Sequence, residues 1–255
     1  MPRLAHELLD RSAWGAKSIP PGPCFLPMNT TSEIRDRLAL VRRYQRGDRD
    51  ALHRIAADTA FCGDPIEVYL DDRRLFQDLF VAAYTDFEPD YAWVAEADGQ
   101  VVGYLTGCPD SARLAHILKR SILPGVLRRA LRGHCGLRRK TRQYVVRLAL
   151  ASLRGESPEI DLSLYPAHLH INVAAGWRGC GVGKGLMTAY LDQLRMEKVD
   201  GVHLETTTQN RAALGLYRSV GFRLLSAHPS RMWEGIISER VENLSFGLTL
   251  EPATE

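Results

Sequence analysis

Residues 168–187 constrain this chain more than any other stretch. They read His168-Leu-His-Ile-Asn-Val-Ala-Ala-Gly-Trp-Arg178-Gly-Cys-Gly-Val-Gly-Lys184-Gly-Leu-Met. A short alternating run gives way to glycines at every second place (Gly179, Gly181, Gly183), and a helical pattern starts at once. This is a strand feeding a tight turn that opens a helix. Such a turn leaves backbone N–H groups unpaired at the positive end of the helix dipole. With no Cβ on the three glycines, a bulky anion can come close to the main chain. The sequence therefore predicts a phosphate-binding turn.

Spacing narrows the ligand. A dinucleotide loop needs Gly-x-Gly-x-x-Gly, but Lys184 and Leu186 stand where a third glycine would be required. A P-loop needs Gly-Lys-Ser/Thr after four intervening residues, but Gly185 follows Lys184 and position 178 is Arg. The pattern that fits is Arg-x-x-Gly-x-Gly, through Arg178, Gly181 and Gly183. That spacing resembles the acetyl-CoA pyrophosphate loop of the GNAT family of N-acetyltransferases. A glycine-rich turn with no ligand is the alternative that the loop alone leaves open.

Composition excludes several other classes. The chain has 255 residues, 45% hydrophobic and 25% charged, enough for one large core or two small ones. A net charge of +3 does not suit a nucleic-acid binder. Cys24, Cys62, Cys108, Cys135 and Cys180 are scattered, with no zinc-like spacing, which points to a reducing cytoplasm and no metal. No apolar run approaches the roughly 18–20 residues that span a bilayer, so no transmembrane segment is expected.

Residues 1–35 read as an N-terminal extension, poorly ordered or docked on the surface, broken by Pro20-Pro21-Gly22-Pro23. Residues 36–252 read as a single domain. Its first strand falls at 37–44. Asp48 is placed to cap a helix reaching about 58, and a second helix is expected over 72–84. Asp98-Gly99 between two β-rich runs, 91–97 and 100–107, predicts a hairpin. After the glycine turn come a helix over 183–198, a strand at 201–207, a helix over 210–220, and strands at 222–227 and 244–250. The loop between the last two carries His228 and Pro229.

Residues 111–155 stand apart. They hold twelve Lys or Arg and no Asp or Glu, which leaves 21 basic against 30 acidic residues elsewhere. The pattern predicts two or three basic helices inserted between strands, interrupted at Pro124 and at 133–136. The insertion reads as a solvated cap, a cover over an anionic cofactor or substrate, or a face for an acidic partner or membrane surface.

A second signature completes the resemblance. Asn210-Arg-Ala-Ala-Leu-Gly-Leu-Tyr217-Arg-Ser-Val-Gly221-Phe222 is similar to the Asn-x-x-Ala-x-x-x-Tyr-x-x-x-Gly-Phe segment of the GNAT family. The two signatures lie in the family's order, one helix and one strand apart, and with the hairpin they cover about residues 36–250. Within the family, Tyr165-Pro-Ala-His-Leu-His-Ile171 resembles the acetyltransferase-like domain of animal O-GlcNAc hydrolases and its bacterial relatives, some of which are thought not to catalyse.

The resemblance implies an α/β fold with a mixed, mostly antiparallel sheet of six to seven strands flanked by helices. It implies an acetyl-CoA-dependent enzyme passing an acetyl group directly from the thioester to a primary amine, small molecule or peptide. Cofactor contacts are expected from Ile171, Asn172 and Val173 on the strand before the loop, from Arg178, Gly179, Cys180, Gly181, Val182, Gly183 and Lys184, and from Asn210 and Tyr217. Asn210 can alternatively serve only as a helix cap. The implied role of Tyr217 is general acid, and a phenol of ordinary pKa near 10 stays protonated at neutral pH. His168 and His170, on one strand face, and Glu205 on the next strand are candidate bases. A non-catalytic acyl-CoA or partner-binding module and a transferase for another acyl group are the competing readings. The acceptor is not readable, and a homodimer is a common assembly for such domains.

Overall fold

The computed structural model describes residues 39–136, 138–156 and 159–251. The expected extension at 1–35, the start of the first strand and Pro158 lie outside them.

Seven strands form one sheet: β1 (Leu40–Arg43), β2 (Ala92–Ala97), β3 (Gln100–Cys108), β4 (Ala167–Val173), β5 (Gly201–Thr207), β6 (Arg223–Ser230) and β7 (Val241–Thr249). Their order is β1-β2-β3-β4-β5-β7-β6, and only β4 and β5 run parallel. The expected α/β fold, a mostly antiparallel sheet flanked by helices, is thus present. At the hairpin tip Asp98 and Gly99 both take positive φ, 51° and 72°, as a two-residue turn between twisted strands requires.

Alternation along the strands decides what each face meets. One face carries Ala95, Leu105, Leu169 and Leu204 against α7 (Val182–Met196) and α8 (Arg211–Ser219). Leu186, Met187, Tyr190 and Leu194 of α7 are wholly buried there, each worth roughly 1.5–3 kcal/mol over an exposed position. The opposite face carries Val94 and Tyr104 against Leu52, Ile55 and Ala56 of α1 (Arg49–Thr59).

Four local expectations need correction. Asp48 takes the N-cap position of α1 but gives its helix no side-chain cap. Its carboxylate instead accepts from Arg42 Nη1 (2.7 Å) and Nη2 (2.9 Å) and from the Gln45 N–H (2.8 Å). The single helix expected over 72–84 is two, α2 (Arg73–Phe80) and α3 (Ala82–Phe87). Val81 between them leaves helical geometry (φ −123°) and is buried against Tyr44, Val94 and Tyr104, so packing overrides the periodicity. The proline break at 124 is absent. Helix α4 (Ser111–Ile117) runs through a π-helical turn (Leu118–Ile122) into α5 (Leu123–Leu131), where Pro124 occupies the first turn. The wider π-helical turn just before it makes room for the ring and for the missing N–H, so the helix is not broken. Finally, β6 extends to Ser230 and absorbs His228 and Pro229, which an edge strand tolerates.

The third basic helix, α6 (Arg139–Leu153), is tied to the domain by two acids. Asp72 caps α2 through the Leu75 N–H (3.0 Å) and reaches across to the Gly136 N–H (2.7 Å). Asp71 Oδ2 accepts from the N–H groups of Lys140 (3.0 Å) and Thr141 (3.4 Å). Both carboxylates thus hold backbone at the start of the insertion's last helix.

Candidate active site

The parallel pair β4–β5 is where the sheet opens. The strands are in register only at Ala167↔Val202 and His168↔His203. Beyond that point β4 stays paired with β3 as far as Val173, and β5 stays paired with β7 as far as Thr207. Each strand keeps its outer neighbour while the two part from each other, so the sheet splits into a wedge. The edge of β4 facing the wedge, residues 169–173, has no strand beside it among the described residues. An unpaired edge of this kind is a template for an extended ligand.

The glycine turn sits at the mouth of the wedge. Gly179 and Gly181 take φ of 77° and 81°, and Gly181 is the residue from which α7 starts. Left-handed geometry there is open to glycine at little cost. Among the described residues no carbonyl or side chain accepts from the backbone N–H groups of residues 179–184, and the first helical bond returns only at Gly185, to Gly181. Gly183 lets the chain pass close to α8, where a Cβ would stand 3.1 Å from a Leu216 methyl. The turn is therefore a row of unsatisfied donors at a helix N-terminus.

Two cavities meet in the wedge. One of about 360 Å³ lies against the turn and is lined by Ile171, Val173, Trp177, Arg178 and Lys184, with Leu216 opposite. The second, about 210 Å³, lies deeper and is lined by His170, Glu205 and Tyr217, with Phe61 and Trp233 at its outer side. Thr59, Cys62, Ile171, Asn172 and Asn210 border both. Because the wedge passes through the sheet, Tyr217 from the α8 side and His170 and Glu205 from the α1 side reach one space.

The predicted residues divide by what their side chains do. Arg178 does not point an unused charge at the turn: Nε donates to the Val173 carbonyl (3.0 Å) and Nη2 to the Gly63 carbonyl (3.1 Å), clasping two loops together. Asn172 is similarly committed, donating to Thr59 Oγ1 (2.7 Å) and accepting from the Tyr104 hydroxyl (3.1 Å). Its backbone pairs with Tyr104 of β3, so the main-chain groups of β4 that face the wedge are those of Ile171 and Val173. Asn210 stands at the N-cap of α8 without a side-chain cap bond, so the simple capping role is not fulfilled. Cys180 Sγ lies 3.7 Å from the Arg178 carbonyl, and Val182 is buried in the core below the turn.

Tyr217 is buried against Phe222 and Phe246, and burial pushes its phenol above the ordinary value. Three histidines crowd the root of the wedge. His168 lies 4.6 Å from the His170 ring and 4.9 Å from His203, centroid to centroid. His168 Nδ1 is 3.0 Å from the Tyr84 hydroxyl, which takes it out of the deeper cavity. His203 Nδ1 donates to the Tyr165 carbonyl (2.8 Å), which fixes the proton on that nitrogen, since a carbonyl can only accept. Loss of hydration, reinforced by the neighbouring histidines, holds His168 well below the usual range and His170 down to about 4. Glu205 moves the opposite way: although exposed, it is walled by protein that displaces water, and its pKa is raised.

Sequence reading missed one wall of this site. Thr59, Phe61, Cys62 and Gly63 fall between the two expected helices, and Trp233 falls in a loop. Gly63 has a φ of 105° that favours glycine, and a Cβ there would stand 2.5 Å from Arg178 Nη1 and displace its clasp. Aromatic residues within breaks were the available signal, but only the fold brings the two loops together.

Known proteins resemble this arrangement. The family model described as Acetyltransferase (GNAT) family matches residues 140–222, a span holding β4, the glycine turn, β5 and Tyr217. N-alpha-acetyltransferase 30 of Saccharomyces cerevisiae is 40% identical over 50 residues, 20% of this chain, and the match spans only 28% of that relative's length. The crystal structure of SsHAT matches with a TM-score of 0.65 at 29% identity, covering 84% of this chain and 98% of that one. The Drosophila melanogaster polyamine N acetyltransferase matches with a TM-score of 0.56 at 16% identity, covering 83% of this chain and 100% of that one, a likeness of fold alone.

Proposed function

The chain belongs to the GNAT superfamily of acetyltransferases, and from that premise we propose that it is a cytoplasmic N-acetyltransferase passing an acetyl group directly from acetyl-CoA to a primary amine. The observation that carries the reading is the wedge between β4 and β5, open at one end onto unpartnered backbone donors and containing a buried tyrosine at its root. Acetyl-CoA, when bound, supplies the activated acyl group as a thioester. The N–H groups of residues 179–184 suit its pyrophosphate, with Lys184 adding charge. The free edge of β4 at Ile171 and Val173 suits its extended amide arm, which can pair as an added strand. Arg178 contributes by holding the loops at 63 and 173 in place.

The chain's own proton chemistry follows from the pKa directions. Tyr217, held protonated by its surroundings, donates to the departing sulfur. Of the three candidate bases, His170 and Glu205 line the deeper cavity and His168 does not. A pKa lowered to about 4 makes His170 a weak base at neutral pH, suited to orienting a water. Glu205, whose pKa burial raises, is the better proton acceptor for the incoming ammonium, directly or through water. The amine enters past Phe61 and Trp233.

Calorimetric titration with acetyl-CoA and steady-state assays over a broad amine panel test the reading. Tyr217→Phe should lower kcat by about 10²-fold or more, the usual contribution of a general acid, and leave acetyl-CoA affinity nearly unchanged. An unaltered kcat would remove Tyr217 from the mechanism. Binding without turnover for any amine would favour a non-catalytic module.

A further inference from the structure

The basic insertion builds a third cavity that the acyl-transfer site does not use. It has a volume of about 340 Å³ and lies between α6 and the loop joining β6 to β7. Arg139, Lys140 and Arg147 line it, with Tyr69, Tyr144 and Trp233 as its apolar wall, and no carboxylate residue is among its lining. Lys140 Nζ donates to the Glu67 carbonyl (2.5 Å), and Arg147 Nη1 lies 3.4 Å from the Met232 carbonyl. Among the described residues none of the three cations forms an ion pair. Of the acids on the adjoining loop, Asp71 accepts from the backbone N–H groups of Lys140 and Thr141, and the Glu67 carboxylate pairs with Arg73 while also feeling the Lys140 charge, so neither forms an ion pair with the three cations.

This cavity and the deeper part of the wedge share a wall. Trp233 borders both, and the adjacent residues Ile236 and Ile237 line one each. The wall is a chain of rings: Phe61 to Trp233 at 5.4 Å, Trp233 to Tyr69 edge-on at 5.2 Å, and Tyr69 to Tyr144 at 5.0 Å between centroids. Three cations thus line one cavity beside a continuous row of aromatic rings, chemistry suited to an anionic group.

We propose that this cavity binds a carboxylate or phosphate belonging to the acceptor, so that the substrate is an amine carrying a remote anion. This rests on the reading of the wedge as the acyl-transfer site. The anion lies over Arg139, Lys140 and Arg147, the connecting part of the acceptor crosses the aromatic partition at Trp233, and the amine reaches Glu205.

The test compares matched amine pairs, each offered with a remote carboxylate or phosphate and with its neutral amide or alcohol counterpart. The protein is the full chain, wild type and the double variant Arg139→Gln/Arg147→Gln. Thiol release from acetyl-CoA should show a KM about tenfold or more lower for the anionic member in the wild type, the effect of one to two charge-assisted hydrogen bonds. In the double variant that ratio should collapse toward one while the neutral member's kcat is unchanged. If no pair is turned over, the acyl-transfer reading fails, and the same pairs are compared by thermal shift. Selective stabilisation by the anionic members, lost in the double variant, still supports the cavity as their receptor. Equal behaviour of anionic and neutral members, or a preference that survives in the double variant, overturns the proposal. Competition by free inorganic phosphate against neutral acceptors, without any preference for anionic acceptors, would also overturn it, because the cavity would then serve a free anion.

Discussion

Asp48 shows how a residue's type can be legible while its partner is not. An aspartate before a helix reads as a cap, yet its two oxygens are taken by Arg42 across the turn and by the Gln45 N–H. The guanidinium holds the carboxyl below its ordinary value, and the pair links β1 to the start of α1. Arg42 also meets Glu96 on β2, its Nε donating over 2.8 Å, so one arginine joins three elements. Replacing Asp48 with Ala should lower unfolding free energy by about 1–3 kcal/mol, because a charge-assisted pair is lost and Arg42 is left half-buried with one partner fewer. A urea-denaturation midpoint equal to that of the wild type would show that the contact contributes nothing. The same distinction separates His168 from His170. Neighbouring face positions on one strand made them equivalent in sequence, but the Tyr84 hydroxyl claims His168 and leaves His170 facing the deeper cavity.

At the scale of elements, the strand–turn–helix unit from β4 to α7 was readable nearly in full, because glycine spacing and helical periodicity are local properties. What the local pattern could not contain is that β4 loses its partner β5 after two residues. That split puts the glycine turn at the mouth of a slot. Gly181 is the position where the unit is most exposed to substitution. Its φ of 81° is unfavourable for any residue with a Cβ, and it stands in open space, so a side chain there would project into the approach to the donors. Gly181→Val should abolish measurable acetyl-CoA binding by calorimetry and leave the circular dichroism spectrum native. Binding at wild-type affinity would refute the assignment of the turn. The helix predicted over 72–84 failed at this same scale. Its periodicity is genuine, but burying Val81 against the sheet demanded a break that no local signal marks.

For the whole molecule, charge and protonation are distributed unevenly. The insertion concentrates twelve cations, and the rest of the chain is acidic. At the centre of the sheet, His168, His170 and His203 are all held below the ordinary histidine value by loss of hydration, His170 to about 4. The unfolded chain releases these protons near pH 6.5. Between 6.5 and about 4 it therefore binds protons that the folded state refuses, and stability must fall as pH falls through that window. Above 6.5 the contribution is fully present. The urea midpoint should decline between pH 7 and pH 4.5, and His170→Asn should make the decline shallower. A decline of unchanged steepness in the variant would show that His170 keeps an ordinary pKa in the folded protein.

The sequence by itself determined the elements whose signals are local: the Asp98-Gly99 hairpin, the glycine turn with its helix, the Asn210–Phe222 segment, and the segregation of positive charge in 111–155. It also carried the resemblance to the GNAT family, because two separated motifs share that family's order. Tertiary structure alone decided which side chains share a space. The wedge exists because β4 and β5 follow their outer neighbours, and its far wall comes from Phe61 and Trp233, which lie 172 positions apart in the chain. It also decided that Arg178 and Asn172 are structural ties, and that three of the four cations of α6 line one cavity. Pairing and packing between distant segments are set by the total burial they achieve, a quantity that no short stretch of sequence carries.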